Sequence, residues 1–111
     1  MLTATGFLTA CAQAGLTASS YAEDCLAEIT SSEAGIKAWQ HLDEEQVRTA
    51  AQKADTADEA ISGPLRGVPV GIKDIIDVEA MPCERGSVVF AGRQPEADAG
   101  LVTSLRNDGA V

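Results

Sequence analysis

The chain has 111 residues, 45% hydrophobic and 23% charged, which is ordinary for one small globular domain and excludes a disordered tail, a collagen-like chain or a coiled-coil rod. Its 17 acidic and 8 basic side chains give a net charge of −9 with no basic cluster, so we expect no direct contact with nucleic acid. The longest uncharged stretch, residues 1–22, is interrupted by polar residues and lacks a basic leader. We therefore expect neither a membrane span nor a secretory signal.

Helical spacing of apolar residues predicts three helices in the first half of the chain. Each has a residue suited to cap its start, and the expected starts follow Thr3 or Thr5, then Thr17, then Asp43. The first helix should end at Gly15 and the second among Ser31, Ser32 and Gly35, whereas the third should run from about Glu44 to the late fifties.

The chain changes character near Ile61, where Ser62-Gly63-Pro64 interrupts the helical pattern. Short β-branched runs follow, and Val68–Ile72 is predicted to be a buried strand, with a second extended run over residues 75–78. These runs predict an α/β fold. Two strands are too few for a covered parallel sheet, so we expect the chain to be the N-terminal part of a larger protein.

The last predicted element is a helix capped by Asp98 and closed by Gly109. Ala110 and Val111 come directly after it and are apolar. A helix, a glycine and an apolar pair in this order are similar to the entry into the next strand of a βαβ unit.

The three cysteines, Cys11, Cys25 and Cys83, are an odd number at wide spacing and predict no disulfide framework. We interpret them as small buried apolar residues in a reducing compartment, and so expect a cytoplasmic protein. There is no CxxC pair, and the single histidine, His41, has no ligand-like neighbour, so we expect no metal site. Glycine spacings typical of nucleotide sites are absent, and we expect no cofactor.

The most distinctive segment is Gly63–Asp74, which reads as a turn, an apolar strand and a terminal Lys73-Asp74 pair. Ligands in open α/β sheets bind beyond the carboxyl ends of strands. A lysine buried there would lose its proton more readily and could act as a general base near neutral pH. On the local pattern alone, a solvated Lys73 paired with Asp74 is the favoured alternative.

This segment resembles the start of the characteristic pattern of the amidase signature family. The likeness continues through Ile76-Asp77-Val78, Met81-Pro82, Gly86-Ser87, Pro95, Asp98-Ala99, Leu105-Arg106 and Gly109-Ala110-Val111. The front half is also similar to the family's N-terminal helices, including the run Ala51–Asp55. Where the family often has Gly-Met-Pro-Thr, this chain has Ala80-Met81-Pro82-Cys83. If the glycine has a positive φ, Ala80 strains the turn, whereas we expect Cys83 to be a tolerated loop variation.

The resemblance implies a Ser–cis-Ser–Lys triad in which Lys73 is the base. Both family serines lie beyond the matched region, and Ser87 matches a loop Gly-Ser and neither triad serine. Lys73 is therefore the one catalytic residue that can be assigned. Asp74 matches the family's Lys-Asp pair, and we interpret it as a structural partner that helps place the strand end.

Residues 1–111 are thus predicted to be the N-terminal part of a single amidase domain, with a helical segment over 1–61 and the start of an α/β core over 62–111. The expected function is that of an amidase portion that carries only the lysine and is inactive alone, its full-length protein acting on a small-molecule amide. Two alternatives stay open: a non-enzymatic truncated or interaction fragment, and part of the A subunit of a tRNA-dependent amidotransferase. The oligomeric state cannot be predicted.

Overall fold

The computed structural model describes residues 1–57 and 63–111, and within these ranges it contains four α-helices and one 3₁₀ turn. The helices are α1 (Ala4–Ala14), α2 (Ala18–Ile36), α3 (Glu44–Thr56) and α4 (Gly100–Asn107), and the 3₁₀ turn is Val88–Phe90. The predicted boundary near Ile61 lies outside the described residues. In neither range is a helix both long and apolar enough to cross a bilayer.

The first three helices begin at the predicted caps. Thr3, Thr17 and Asp43 each accept a backbone N–H from the first turn of the helix that follows. Gly15 ends α1 with a left-handed φ of 68°. These predictions are confirmed, because a cap and its helix are neighbours in sequence and form the same contacts in any surroundings.

Helix α2 runs farther than predicted, through Ser31 and Ser32 to its end at Ile36. Both serine hydroxyls donate to the carbonyl oxygen of Glu28, at 2.9 and 2.7 Å. Because each hydroxyl bonds back within the helix, it does not open the backbone at that point. The helix ends only where Lys37 has a left-handed φ of 54°.

Helices α1, α2 and α3 meet around one buried cluster formed by Phe7, Ala18, Tyr21, Ala22, Ala51 and Val68. The rings of Phe7 and Tyr21 stack with centroids 4.9 Å apart. The Tyr21 hydroxyl accepts the N–H of Leu2 and donates to its carbonyl, which holds the chain start on the cluster. Ala51 is completely buried, so that α3 packs closely on α2.

Asp55 joins the end of α3 to the start of α2. Its two carboxylate oxygens accept the backbone N–H groups of Ala18 and Ser19, at 2.6 and 3.0 Å. Burial raises the pKa of Asp55, but its hydrogen bonds with Ser19 and Ala18 outweigh that effect and lower it overall. The last residue of the family-like run Ala51–Asp55 thus satisfies N–H groups that α2 leaves unpaired.

The predicted α/β class is wrong for this structure, because residues 1–57 and 63–111 contain no strand. Residues 67–70 pair through the backbone with residues 109–111, and Val68 also donates to the carbonyl oxygen of Leu65. Gly67 donates to Gly109 at 2.8 Å, Val111 donates to Val68 at 2.9 Å, and Val70 donates to Val111 at 2.7 Å. This short pairing advances in the same direction along both segments and does not extend into a ladder.

The second predicted extended run, residues 75–78, is also wrong. The N–H groups of Ile75 and Ile76 both donate to the carbonyl oxygen of Lys73, at 2.7 and 2.9 Å. This bonding forms a turn, and the chain leaves it toward the loop of residues 83–93.

Helix α4 forms near the predicted position, but Asp98 does not cap it. The N-cap residue is Ala99, which makes no side-chain capping bond. Asp98 instead accepts the N–H of Glu79 at 2.8 Å and pairs with Arg106 at 3.1 Å. The carboxylate is used by a partner 19 residues away, which a local capping pattern cannot reveal.

Candidate functional site

The candidate site begins with the segment that carries Lys73 away from the helical cluster. Gly67 is buried and has a φ of 73°, and a Cβ there would lie 2.7 Å from the Cβ of Ala18. Only glycine allows the chain to pass so close to the start of α2 in this conformation. Val68, 7% exposed, then anchors the segment in the core.

Trp39 lies beside the same segment, next to Gly71, which precedes Lys73 by two residues. A Cβ at Gly71 would lie 3.3 Å from ring atom Cη2 of Trp39. The backbone N–H groups of Ala38 and Trp39 donate to the carboxylate of Glu33, at 3.1 and 2.9 Å. The connection between α2 and α3 is therefore held in place where the Trp39 ring lies close to the exposed Gly71.

Lys73 itself is exposed at the end of this segment, immediately before the turn. The burial that the apolar run suggests is therefore not found. Among residues 1–57 and 63–111, no ion pair joins Lys73 to Asp74 either. The side chain is open to groups outside the described residues, and its catalytic role stays a prediction.

Asp74 points its carboxylate to the loop of residues 83–93. Its Oδ1 accepts the backbone N–H of Glu84 at 2.9 Å, and the Glu84 carboxylate accepts the N–H of Gly92 at 2.7 Å. These bonds suit the structural role inferred for Asp74, because they tie the residue after Lys73 to a neighbouring loop.

Asp77 is the centre of a polar cluster that sequence reasoning missed. The Arg93 guanidinium donates to both of its carboxylate oxygens, at 2.7 and 2.6 Å, while Arg85 and the Cys83 thiol each approach Oδ1 at 3.3 Å. The hydrogen bond from Arg93 is the main cause that holds the pKa of Asp77 well below its ordinary value, against the opposing effect of burial. No spacing rule links residues 16 apart in an irregular loop, so the sequence carried no signal for this cluster.

In the tetrapeptide Ala80-Met81-Pro82-Cys83, Ala80 has the strained backbone conformation that the sequence suggests. Its φ is 61°, a left-handed conformation that costs a side chain more than it costs glycine. Cys83 is 2% exposed, which confirms the prediction of a buried thiol there, whereas Cys11 and Cys25 are half-buried. Burial raises the pKa of both half-buried thiols.

Ser87 is engaged in local structure. Its hydroxyl oxygen accepts the N–H of Val89 at 3.3 Å and caps the 3₁₀ turn Val88–Phe90. This contact fits the interpretation that Ser87 is a loop residue and not a nucleophile.

Two surface depressions lie among the described residues. A depression of about 350 Å³ has walls from α2 and α3, and a second, of about 230 Å³, is lined by α3, α4 and the chain end; Lys73 lines neither of them. Within the same ranges, no group of three or more His, Cys, Asp or Glu side chains could hold a metal ion. Lys73 is thus exposed and lies outside both of these depressions.

The Amidase family model matches residues 21–111, which include the whole segment that leads to Lys73. The chain belongs to the amidase family. The A subunit of glutamyl-tRNA(Gln) amidotransferase from Chloroflexus aggregans is 39% identical over 113 residues, covering 99% of this chain and 23% of that protein. Its counterpart from Maridesulfovibrio salexigens is 34% identical over 96 residues, covering 86% and 20%.

A solved structure has the same fold over nearly the whole chain. It is described as an inhibitor-bound form of an unexpected vestigial protein complex that reveals the evolutionary origins of an s-triazine catabolic enzyme. Its TM-score is 0.90 at 26% identity, over 99% of this chain and 25% of its own. The helices and loops described above are therefore a portion of the amidase fold, and the chain spans about a quarter of the length of its relatives.

Proposed function

We propose that the full-length protein containing these residues is an amidase that hydrolyses or transfers a carboxamide, with Lys73 as the base of a Ser–cis-Ser–Lys triad. One observation carries the proposal: the run Gly63–Asp74, with Lys73 near its end, lies inside the family match. The exposed position of Lys73 suits a base whose hydroxyl partners come from another part of the protein.

In the proposed reaction, the neutral Lys73 amine accepts the hydroxyl proton of a bridging serine as that serine takes the proton of the nucleophilic serine. The nucleophilic oxygen attacks the amide carbonyl and forms an acyl-enzyme, while the proton leaves with the departing ammonia or amine. Water or another nucleophile then releases the acyl group. Residues 1–111 supply the lysine alone, and so we propose that they are inactive by themselves.

A second candidate function, transfer of an amide group to glutamyl-tRNA(Gln), is favoured by the names of the relatives. The Chloroflexus aggregans and Maridesulfovibrio salexigens proteins are both A subunits of glutamyl-tRNA(Gln) amidotransferase. With a net charge of −9, residues 1–111 would contribute little attraction for the tRNA itself. Other parts of such an enzyme would bind the nucleic acid.

The test uses the full-length protein and measures ammonia release from a panel of carboxamides, with and without glutamyl-tRNA(Gln). We expect Lys73→Ala and Lys73→Arg each to lower kcat by at least about 10³-fold, since guanidinium cannot give up its proton at working pH. Lys53→Ala, which removes an exposed lysine of α3, is the matched control and should leave kcat unchanged.

Three results separate the possibilities. Ammonia release without tRNA supports a hydrolase, and release that requires glutamyl-tRNA(Gln) with an amidated product supports the transferase. Wild-type rates in either Lys73 variant would refute the assignment of the base. A protein that turns over no amide in any of these mixtures would support the non-enzymatic alternative.

A further inference from the structure

A continuous set of polar contacts joins the turn after Lys73 to the loop of residues 83–93. We propose that Asp77 and Arg93 form a positioning pair, which acts through this loop to hold the backbone of Lys73 in place for catalysis. The inference rests on the proposed amidase function.

The pair itself has the geometry of a strong contact. Two parallel hydrogen bonds, of 2.7 and 2.6 Å, join the Arg93 guanidinium to the two carboxylate oxygens of Asp77. Bidentate arginine–carboxylate contacts restrict orientation as well as distance, which a lysine could not do. Both side chains are about two-thirds covered, with 30% and 27% exposed.

The main chain of Arg93 passes this restraint to Cys83. The Arg93 carbonyl accepts the N–H of Cys83 at 3.0 Å, and the buried Cys83 thiol approaches Asp77 Oδ1 at 3.3 Å. Asp77, Cys83 and Arg93 therefore form a closed set of contacts, and none of the three can move without disturbing the other two.

Glu84, the residue after Cys83, carries the restraint to the site. The N–H of Glu84 donates to Asp74 Oδ1 at 2.9 Å, and Asp74 is the residue that follows Lys73. On the other side of Asp74, the Lys73 carbonyl accepts two N–H groups of the turn. The backbone on the C-terminal side of Lys73 is thus fixed to the loop that the Asp77–Arg93 pair holds.

The expected effect is on rate more than on stability. A partly exposed ion pair stabilises a fold by only about 0–1 kcal/mol. A displacement of about 1 Å in a catalytic group can nevertheless lower a rate about 10²-fold. Loss of the pair should therefore misplace the Lys73 amine in a protein that is still folded and still binds its substrate.

The experiment compares Asp77→Asn and Arg93→Met in the full-length protein, using the carboxamide that the wild type hydrolyses fastest. We expect kcat to fall about tenfold in each variant while KM stays within about twofold, because the interaction removed acts on chemistry and not on binding. Arg48→Met is the matched control: it removes an arginine that pairs with Glu23 and Glu44 on the helices, and it should leave kcat unchanged.

Arg93→Lys provides a milder second variant in case the first two lower the yield of folded protein. It keeps the charge and loses one of the two bonds, so its kcat should lie between those of the wild type and Arg93→Met. Wild-type kcat in folded Asp77→Asn, Arg93→Met and Arg93→Lys, with Lys73→Ala inactive, would overturn this inference and leave the proposed function intact. Activity in Lys73→Ala would instead overturn the proposed function, and this inference with it.

Discussion

Residues 1–57 and residues 63–111 are each stabilised by a different kind of contact. In residues 1–57, three helices bury apolar side chains against one another around Phe7 and Tyr21. In residues 63–111, irregular segments are joined by backbone bonds and by carboxylates, with Asp74, Asp77 and Asp98 each bonded to a partner ten or more residues away. The comparison teaches that the helical part is stabilised by packing, whereas the part that carries Lys73 is shaped by a few specific polar bonds.

The largest effect on stability is expected where Gly67, in the second range, contacts Ala18, in the first. Gly67→Ala should lower the free energy of unfolding by about 3 kcal/mol, since it combines a left-handed alanine with a clash in a packed core. The clash is with the Cβ of Ala18, at 2.7 Å. Urea unfolding of the wild type and the variant measures the difference.

The matched control is Gly86→Ala. Gly86 has a similar φ of 63°, but a Cβ there would meet nothing within 4 Å. It should lower the free energy of unfolding by only about 1 kcal/mol, from backbone strain alone. Equal losses in the two variants would show that the Gly67 contact does not matter and that the two ranges are not closely packed there.

A smaller change, a gain in the free energy of unfolding, is expected within the loops of residues 63–111. Ala80→Gly should raise the free energy of unfolding by up to about 1 kcal/mol, because glycine adopts a φ of 61° without the strain of a side chain. Ala91→Gly, at an ordinary φ of −54°, should instead lower it. Thermal melting of both variants checks the prediction, and a lower melting temperature for Ala80→Gly would contradict it.

The smallest expected effect is a dependence of stability on pH that arises from the Asp77–Arg93 ion pair. The bond from Arg93 lowers the pKa of folded Asp77 below its value in the unfolded chain. The resulting stabilisation is complete above the unfolded pKa and is lost as the pH falls through the folded pKa. Acidification below about pH 4 should therefore destabilise the wild type more than Asp77→Asn.

Melting temperatures of the two proteins between pH 7 and pH 3 test this sign. Asp43→Asn, a change at an exposed helix cap where asparagine is an equally good capping residue, is the comparison variant. An identical acid response in the wild type and Asp77→Asn would mean that the Asp77–Arg93 pair contributes nothing to stability.

Sequence reasoning succeeded where the relevant contacts are close along the chain. The starts of α1, α2 and α3 were predictable because Thr3, Thr17 and Asp43 bond to N–H groups only three residues ahead. It failed at Asp98, which has the residue type of a cap but bonds to Glu79. A local pattern shows what a carboxylate can do, and a tertiary partner determines which of those contacts forms.

For the candidate site too, some features were predictable from the sequence and others were not. The motif that ends at Lys73 was sufficient to indicate the family, and the family model confirms it over residues 21–111. The predicted strand was wrong because an apolar β-branched run becomes a strand only when enough neighbouring backbone is present to pair with it, and in this fold residues 67–70 make only a short backbone pairing with residues 109–111.

The sequence by itself determined the starts of the first three helices, the end of α1 at Gly15 and the family, and it indicated the lysine proposed for catalysis. These depend on local backbone preferences and on a motif that is contiguous in the chain. Only the tertiary structure decided that Lys73 is exposed and that Asp74, the residue after it, is bonded to a loop that Asp77 and Arg93 hold. The physical reason is that burial and ion pairing are properties of neighbours in space, and residues 16 apart become neighbours only after the chain has folded.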